Sequence, residues 1–384
     1  MFSSFDVAWS QLSYHKVKLA VAAAGVVVAV MLMLVQLGIR RGALDNSVAI
    51  ARRITADLVV VSPRTKTIFA SAAFPRRLLY RMGSIPEVID VAEMYMSQGR
   101  FRNPWDNLEF PVSAYGLDPR SPMMDLPGLE AYEDELQLSD RVLFDGLSRR
   151  NYGPVLGFLE KNGSLDVEVN LRKIRIIDSI NVGISLNTDG NLYMSHANFL
   201  RLFPDRQPGS VDVGLVRLRA GADPQTAKQQ LQPLLGREAR VLTCDELIDQ
   251  EITFVREHAP LDFIFGMGAA VGFFIGFVMV YQILYTEVTN HLPQYATLKA
   301  MGFSDRYLLR VVLSQALILS LLGYFPGFIM ALGVYRIATN AIQMQFSMTL
   351  ERAVFVFALT IIMCGLSAMI AIRKVKTADP ADVF

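Results

Sequence analysis

Histidines, cysteines and clustered carboxylates are the raw material of metal, redox and acid–base sites, and in this chain they do not form a recognisable set. The four histidines, His15, His196, His258 and His291, are scattered, with no H-x-x-H or His–Asp spacing that points to a metal. Glu133-Asp134-Glu135 is a run of carboxylates, and such runs are ordinarily solvated loop or helix faces. No serine sits in a G-x-S-x-G turn that would expose a nucleophile. No G-x-x-x-x-G-K-[ST] loop is present to cradle a nucleotide phosphate, so any ATP-driven work needs a partner. Of the two cysteines, Cys364 lies in an apolar stretch and Cys244 does not, so the two are not expected to meet. By its residues the chain is not an enzyme, and it carries no cofactor or metal site of its own. Trp105, beside Pro104, suits a partner anchor or, as the favoured reading, a loop aromatic tucked into its own domain.

The more telling pattern is the absence of charge. The 384 residues are 52% apolar, with a mean hydropathy of +0.33. Leu19–Ile39, Phe263–Tyr285, Val311–Tyr335 and Ala353–Ile372 contain no Asp, Glu, Lys or Arg. Each is about as long as the roughly 20 helical residues that cross a bilayer. Elsewhere the charge density is that of soluble protein. The expected fold class is therefore an α-helical membrane protein with four transmembrane helices, one plus three, and an α+β domain inserted between helices 1 and 2. A net charge of +1 without a basic tract argues against a nucleic-acid partner.

Charge also orients the spans. Lys16 and Lys18 precede the first, Arg373, Lys374 and Lys376 follow the last, and Lys299, Arg306 and Arg310 lie between the second and third. The positive-inside rule places both termini and that loop in the cytoplasm. The expected order is a cytoplasmic or interfacial N-terminal helix over 1–18, span 19–39, an external domain over 40–262 and span 263–285. A cytoplasmic loop over 286–310, span 311–335, a short external loop over 336–352, span 353–372 and a tail over 373–384 follow. The first span resembles a signal peptide only superficially: its run is too long and no A-x-A site follows, so it reads as a retained anchor.

Within the external domain, strand signals at Asp57–Val61, Val88–Ser97, Val211–Leu218 and Arg240–Leu242 flank helix signals at Phe74–Met82 and from Asp223-Pro224 to Leu235. Two β-α-β halves, about 48–100 and 210–256, pair into an expected ferredoxin-like lobe. The residues between, with β-like runs at Val167–Ile177 and Asn191–Met194, form a mostly β second lobe.

The spans lack Asp, Glu, Lys, Arg and His, so ion-coupled transport has no obvious carrier residue; Gln36, Gln282 and Gln315 are their notable polar side chains. Gly268, Gly272 and Gly276 form two overlapping G-x-x-x-G motifs, and Gly323 and Gly327 repeat the spacing beside Pro326. Close helix packing is one reading; the general glycine richness of membrane helices is the other. Phe2, Phe5, Trp9 and Leu12 recur at helical spacing, as in a helix lying among headgroups or a plain anchoring stub. In the loop, Tyr295–Met301 predicts a short helix that Gly302 ends and Ser304-Asp305 restarts. Leu298 and Met301, three apart, are expected to present one small apolar face there. The loop reads either as a plug for a cytoplasmic partner or as a tight turn.

Together, Ala8-Trp9, Leu12, Lys16 and Lys18, Glu287, the Leu298-Lys-Ala-Met-Gly-Phe-Ser304 turn and the terminal Thr377-Ala-Asp-Pro-Ala-Asp382 resemble MacB/FtsX-type ABC transporter permeases. The match is nearer the DevC-type branch, whose members lack a fused ATPase. It spans nearly the whole chain, with its specific motifs in the first 40 and last 120 residues. The resemblance implies that Leu298, Lys299, Ala300, Met301 and Gly302 occupy the positions that couple to an ATPase. One stretch departs from the family pattern: His291-Leu-Pro-Gln-Tyr295 stands where many relatives carry an acidic, E-I-G-like run.

The resemblance further implies a bacterial inner-membrane permease working as a homodimer with a cytoplasmic ABC ATPase dimer, which would bind the ATP and Mg. It implies mechanotransmission to the periplasmic domain and export of a lipid, glycolipid or other amphiphile. A periplasmic membrane-fusion protein and a TolC-like outer-membrane channel would complete a tripartite efflux pump. A lipoprotein-releasing permease and an FtsX-like transmitter that activates a periplasmic enzyme share the same four-span plan.

Overall fold

The computed structural model describes residues 4–14, 16–183, 188–207, 209–342 and 346–377. Phe2, His15 and the tail beyond Thr377 lie outside them, as do the side chains of Ala300, Arg373, Lys374 and Lys376. In chain order the chain begins with α1 (Ser4–Tyr14), α2 (Lys16–Ser47), β1 (Leu58–Val61), β2 (Phe74–Pro75), α3 (Arg77–Met82), β3 (Val88–Arg102) and β4 (Glu109–Leu117). There follow α4 (Glu133–Gln137), β5 (Arg141–Asp145), α5 (Val155–Asn162), β6 (Leu165–Val169), β7 (Arg172–Ile180), β8 (Asn191–Ser195) and α6 (His196–Leu202). The remainder is β9 (Ser210–Val211), β10 (Val213–Leu218), α7 (Pro224–Leu235), β11 (Arg240–Thr243), α8 (Cys244–His258), α9 (Leu261–Asn290), α10 (Leu292–Ala300), α11 (Asp305–Ile342) and α12 (Leu350–Thr377).

The chain divides into a helical unit, residues 1–42, 261–341 and 346–384, and an α+β unit spanning residues 43–260 with 342–345. Four helices, α2, α9, α11 and α12, are long and apolar enough to cross a membrane. Each charge-free window is the centre of a longer helix. The backbone ladder of hydrogen bonds does not stop where hydrocarbon stops, so each helix runs on into charged residues such as Arg40 and Arg310.

In the α+β unit the strand order is β11-β1-β10-β3-β4-β8-β5-β7-β6. β1, between β10 and β11, pairs antiparallel with both, and β10 pairs antiparallel with β3, so the two strand–helix–strand segments interleave. The Leu58–Val61 run is apolar at every position because both its faces are covered. Leu58 and Val60 join the core under α3 and α7, while Val59 and Val61 join the one that includes Leu247 of α8. β3 is 15 residues long and serves both halves of the unit. Its first part pairs with β10, and its later part pairs with β4 and, at Phe101 and Arg102, with β6. That last pairing closes six strands, β3, β4, β8, β5, β7 and β6, on themselves around Phe101, Phe144 and Tyr152.

Two local expectations need correction. The helix signal at Phe74–Met82 begins with strand β2, because Phe74 and Pro75 pair with Val211 and Ser210 before α3 starts at Arg77. The run Val167–Ile177 is two strands joined by Asn170 and Leu171, both with positive φ (52° and 64°), as a two-residue hairpin requires. Leucine rarely adopts that conformation, so its β-forming type concealed the turn.

Candidate functional site

The loop between α9 and α11 is built from hydrogen bonds that its sequence specifies. Pro293 in the first turn of α10 costs no intrahelical bond. The helix ends in a Schellman arrangement: Gly302 N–H donates to Lys299 O (3.0 Å) and Phe303 N–H to Leu298 O (3.1 Å). Gly302 adopts φ +90°, which a residue with a Cβ takes only under strain. Ser304 O then accepts the first bond of α11, from Tyr307 N–H at 2.8 Å. Lys299 Nζ lies 3.2 Å from Asp305 Oδ1, tying the end of α10 to the start of α11.

The expected shared face of Leu298 and Met301 does not form. Leu298 is half-buried against the helical core, whereas Met301 is 63% exposed. Met301 is the residue at which the chain leaves the helix (ψ 5°), so the three-residue spacing no longer sets its direction. The outward elements of this turn are Met301 and Gly302, with Lys299 half-exposed beside them.

The N-terminal helix contributes what the sequence pattern missed. Ala8 and Leu12 of α1 are buried in the helical core while Phe5 and Trp9 point outward, each 47% exposed, so the apolar positions serve two directions. Between Leu12 and Ala8, Gln11 makes the key contact. Its Oε1 accepts from the Tyr295 hydroxyl (3.2 Å) and from Gln315 Nε2 of α11 (2.9 Å). Burial pushes the Tyr295 phenol up to about 12, so it stays a hydrogen-bond donor at neutral pH. Beside it, His291 Nδ1 meets Gln294 Oε1 at 3.0 Å, and His291 Nε2 lies 3.4 Å from the buried Glu287 carboxylate. His291 and Tyr295, where the sequence departs from the family run, therefore fasten α10 inward. Gln315 was visible as a polar residue in an apolar window; Gln11 carried no such signal.

Both glycine motifs pack on α2. A Cβ on Gly268 would meet Gln36 Cδ at 2.6 Å, one on Gly272 would touch Leu32 and Met33, and one on Gly276 would press on Ala29 and on Met363 of α12. On α11, Gly323 faces Val26, and Gly327 lies against Val27 O and Val30. The close approach that these glycines permit is between helices of one chain, with α2 as the shared partner.

In the α+β unit, the buried carboxylates are held by their own domain. Asp145 accepts from Leu147 and Gly183 N–H and from Asn191 Nδ2, each at 3.0 Å; burial nevertheless raises its pKa. Asp212 accepts from Met96 N–H (2.9 Å) and pairs with Arg206. His196 is half-buried with Nε2 2.8 Å from Glu93 O, and its partial burial lowers its pKa. Asp134 and Glu135 of the acidic run meet Arg120 and Arg141 near the surface. Trp105 lies against Gly153 and edge-on to Phe158, 6.0 Å between centroids, within its own domain. Cys244 and Cys364 are both free thiols. Among the described residues no three of His, Cys, Asp and Glu converge as a metal would need.

Comparison with known proteins matches residues 19–234 to the MacB-like periplasmic core domain and residues 266–380 to the FtsX-like permease C-terminal domain. Among solved structures, the chain is similar to the periplasmic region of MacB from Actinobacillus actinomycetemcomitans, at 14% identity and a TM-score of 0.36, covering 53% of this chain and 95% of that one. It is also similar to the extracellular domain of the noncanonic ABC-type transporter YknZ from Gram-positive bacteria, at 9% identity and a TM-score of 0.33, covering 49% of this chain and 100% of that one. No curated protein matches it in sequence. The periplasmic-core match alone takes in more than half of the residues, and the chain belongs to the MacB/FtsX-type family of ABC transporter permeases.

Proposed function

We propose that this permease is the membrane subunit of an ATP-driven export complex, in which α10 receives the motion of a separate cytoplasmic ATPase dimer. The observation that carries this reading is the way α10 is held. Its inner side is fixed by Gln11, Tyr295 and Leu298, its end by Lys299–Asp305, and Met301 and Gly302 face outward. A short helix fixed on one side and open on the other passes a push into α9 and α11 rather than absorbing it. The ATPase subunits supply ATP and Mg; within the Leu298–Gly302 stretch, Met301 and Gly302 meet them with Lys299 beside, while Leu298 holds α10 from its inner side.

In this reading two permease copies lie in a bacterial inner membrane with both termini cytoplasmic, and motion passes along the helices to the periplasmic domain. The spans hold no polar path for cargo, so the periplasmic domain acts on a partner: a membrane-fusion protein leading to a TolC-like channel, with a lipid, glycolipid or other amphiphile as cargo. A mild-detergent pull-down of the chain with mass spectrometry tests this. An ABC ATPase together with a membrane-fusion protein is the expected result. An ATPase without that adaptor moves the function to lipoprotein release or FtsX-like signalling, and recovery of no ATPase overturns the coupling reading.

A further inference from the structure

A cavity of about 390 Å³ lies where α2 leaves its charge-free stretch and α12 enters its own. Arg40, Arg41 and Arg352 line it with Glu351, and Leu37 and Phe355 complete its apolar wall. We propose that this cavity binds the anionic headgroup of a membrane amphiphile, a phosphate or carboxylate, with the acyl chain passing along Leu37 and Phe355.

Arg352 is the centre of the argument. It is only 9% exposed, yet among the described residues its guanidinium donates to neutral groups alone, Ser347 O at 2.9 Å and, at a long 3.4 Å, the Tyr335 hydroxyl. Among the described residues no carboxylate pairs with it, although Glu351 lines the same cavity. Arg40, in contrast, is matched by Asp262 at 2.6 Å. A cation withdrawn from water without an anion is costly, and an incoming oxyanion that meets the guanidinium donors not already given to Ser347 and Tyr335 offsets that cost. Arg352 also lies in the first turn of the 28-residue α12, where the helix dipole favours negative charge.

Depth and shape favour an amphiphile over a free ion. Arg40 directly follows one charge-free stretch and Arg352 directly precedes another, which places both at headgroup level. Leu37 and Phe355 stand three residues further into those stretches, about 4.5 Å deeper at the helical rise. The polar wall thus continues into an apolar one, as a headgroup continues into its chain. This inference requires only that the helices lie in a bilayer; it stands apart from the coupling at α10, and a loss of ATPase binding would not bear on it.

The test is native mass spectrometry of the full chain in detergent, titrated with lysophosphatidylglycerol, with zwitterionic lysophosphatidylcholine and with inorganic phosphate. Lysophosphatidylglycerol is expected to stay bound, with at least tenfold preference over lysophosphatidylcholine and no displacement by millimolar phosphate. Arg352→Gln is expected to weaken it tenfold or more, and Arg41→Gln, at an exposed position of the same cavity, several-fold. Displacement by phosphate would make this a simple anion pocket and overturn the amphiphile assignment. Equal retention of both lipids would overturn it too. If Arg352→Gln does not fold, unchanged affinity in Arg41→Gln decides against the site.

Discussion

The Tyr295 hydroxyl and the Gln11 side chain, 284 residues apart in sequence, meet at 3.2 Å, so the first helix of the chain is fastened to the short helix between the second and third spans. Gln11 Oε1 is a shared acceptor, since Gln315 Nε2 reaches it at 2.9 Å. Removing the acceptor is therefore worse than removing one donor. Tyr295→Phe loses a single bond, about 1 kcal/mol, while Gln11→Ala strands two donors in a buried place, about 2–3 kcal/mol. Thermal unfolding of the full chain in detergent is expected to show the larger drop in midpoint for Gln11→Ala. Equal shifts in the two variants would mean that the contacts are not shared through Gln11.

Met301→Glu separates a partner contact from a folding requirement. Met301 is 63% exposed and needs no burial within its own chain, so a carboxylate there leaves insertion and folding unchanged. Against an apolar ATPase groove the same carboxylate has to be desolvated, at a cost of a few kcal/mol. Permease-stimulated ATP hydrolysis in the reconstituted complex is expected to fall at least tenfold. Wild-type stimulation would remove Met301 from the contact.

Much of this architecture could be read from residue types, and the parts that could not have physical reasons. Four uncharged windows and the capping signals at Gly302 and Asp223 are local, so they are visible wherever they occur. The closure of β6 onto β3 depends on pairing Phe101 with Val169, a contact between distant segments that no periodicity encodes. Glycine spacing left close packing and general glycine richness both open and named no partner; the partner is α2 for both motifs. In the loop between α9 and α11 the helix and its stop were legible, but the fastening through Gln11 was not. A single glutamine on a terminal helix looks like any solvated residue until its acceptor is seen to serve two buried donors. Arg352 was similarly hidden: it reads as the charged edge of a span, and only its partners reveal a cation without a carboxylate among the described residues.

Gly323 and Gly333 share α11 but differ in what surrounds them. A Cβ at 323 would run into Val26, whereas one at 333 meets nothing within 4 Å. Gly323→Ala is expected to separate α2 from α11, or shift Val26, at about 1–3 kcal/mol. Gly333→Ala is expected to be neutral or slightly stabilising, because alanine favours the helix. The monodisperse fraction on size-exclusion chromatography after mild heating reads both. Comparable losses in the two variants would show that α11 does not meet α2 along this face.

Glu251 sets a pH dependence in the α+β unit. Its side chain is buried on α8 and accepts a 2.6 Å hydrogen bond from Ile68 N–H, and burial raises its pKa from the ordinary 4.5 to about 7. The folded state holds this proton more tightly than the unfolded chain does. The group's contribution is therefore fully present below about pH 4.5 and is lost as pH rises through 7. The whole swing is on the order of 3 kcal/mol. Glu251→Gln keeps an oxygen for Ile68 N–H and cannot ionise, so it removes the dependence while preserving the bond. Asp145 and Asp212, also raised by burial, titrate in both proteins and cancel in the comparison. The stability difference between Glu251→Gln and wild type is thus expected to grow in favour of the variant from pH 5 to pH 8. Parallel stability curves across that range would mean that Glu251 reaches water and ionises without cost.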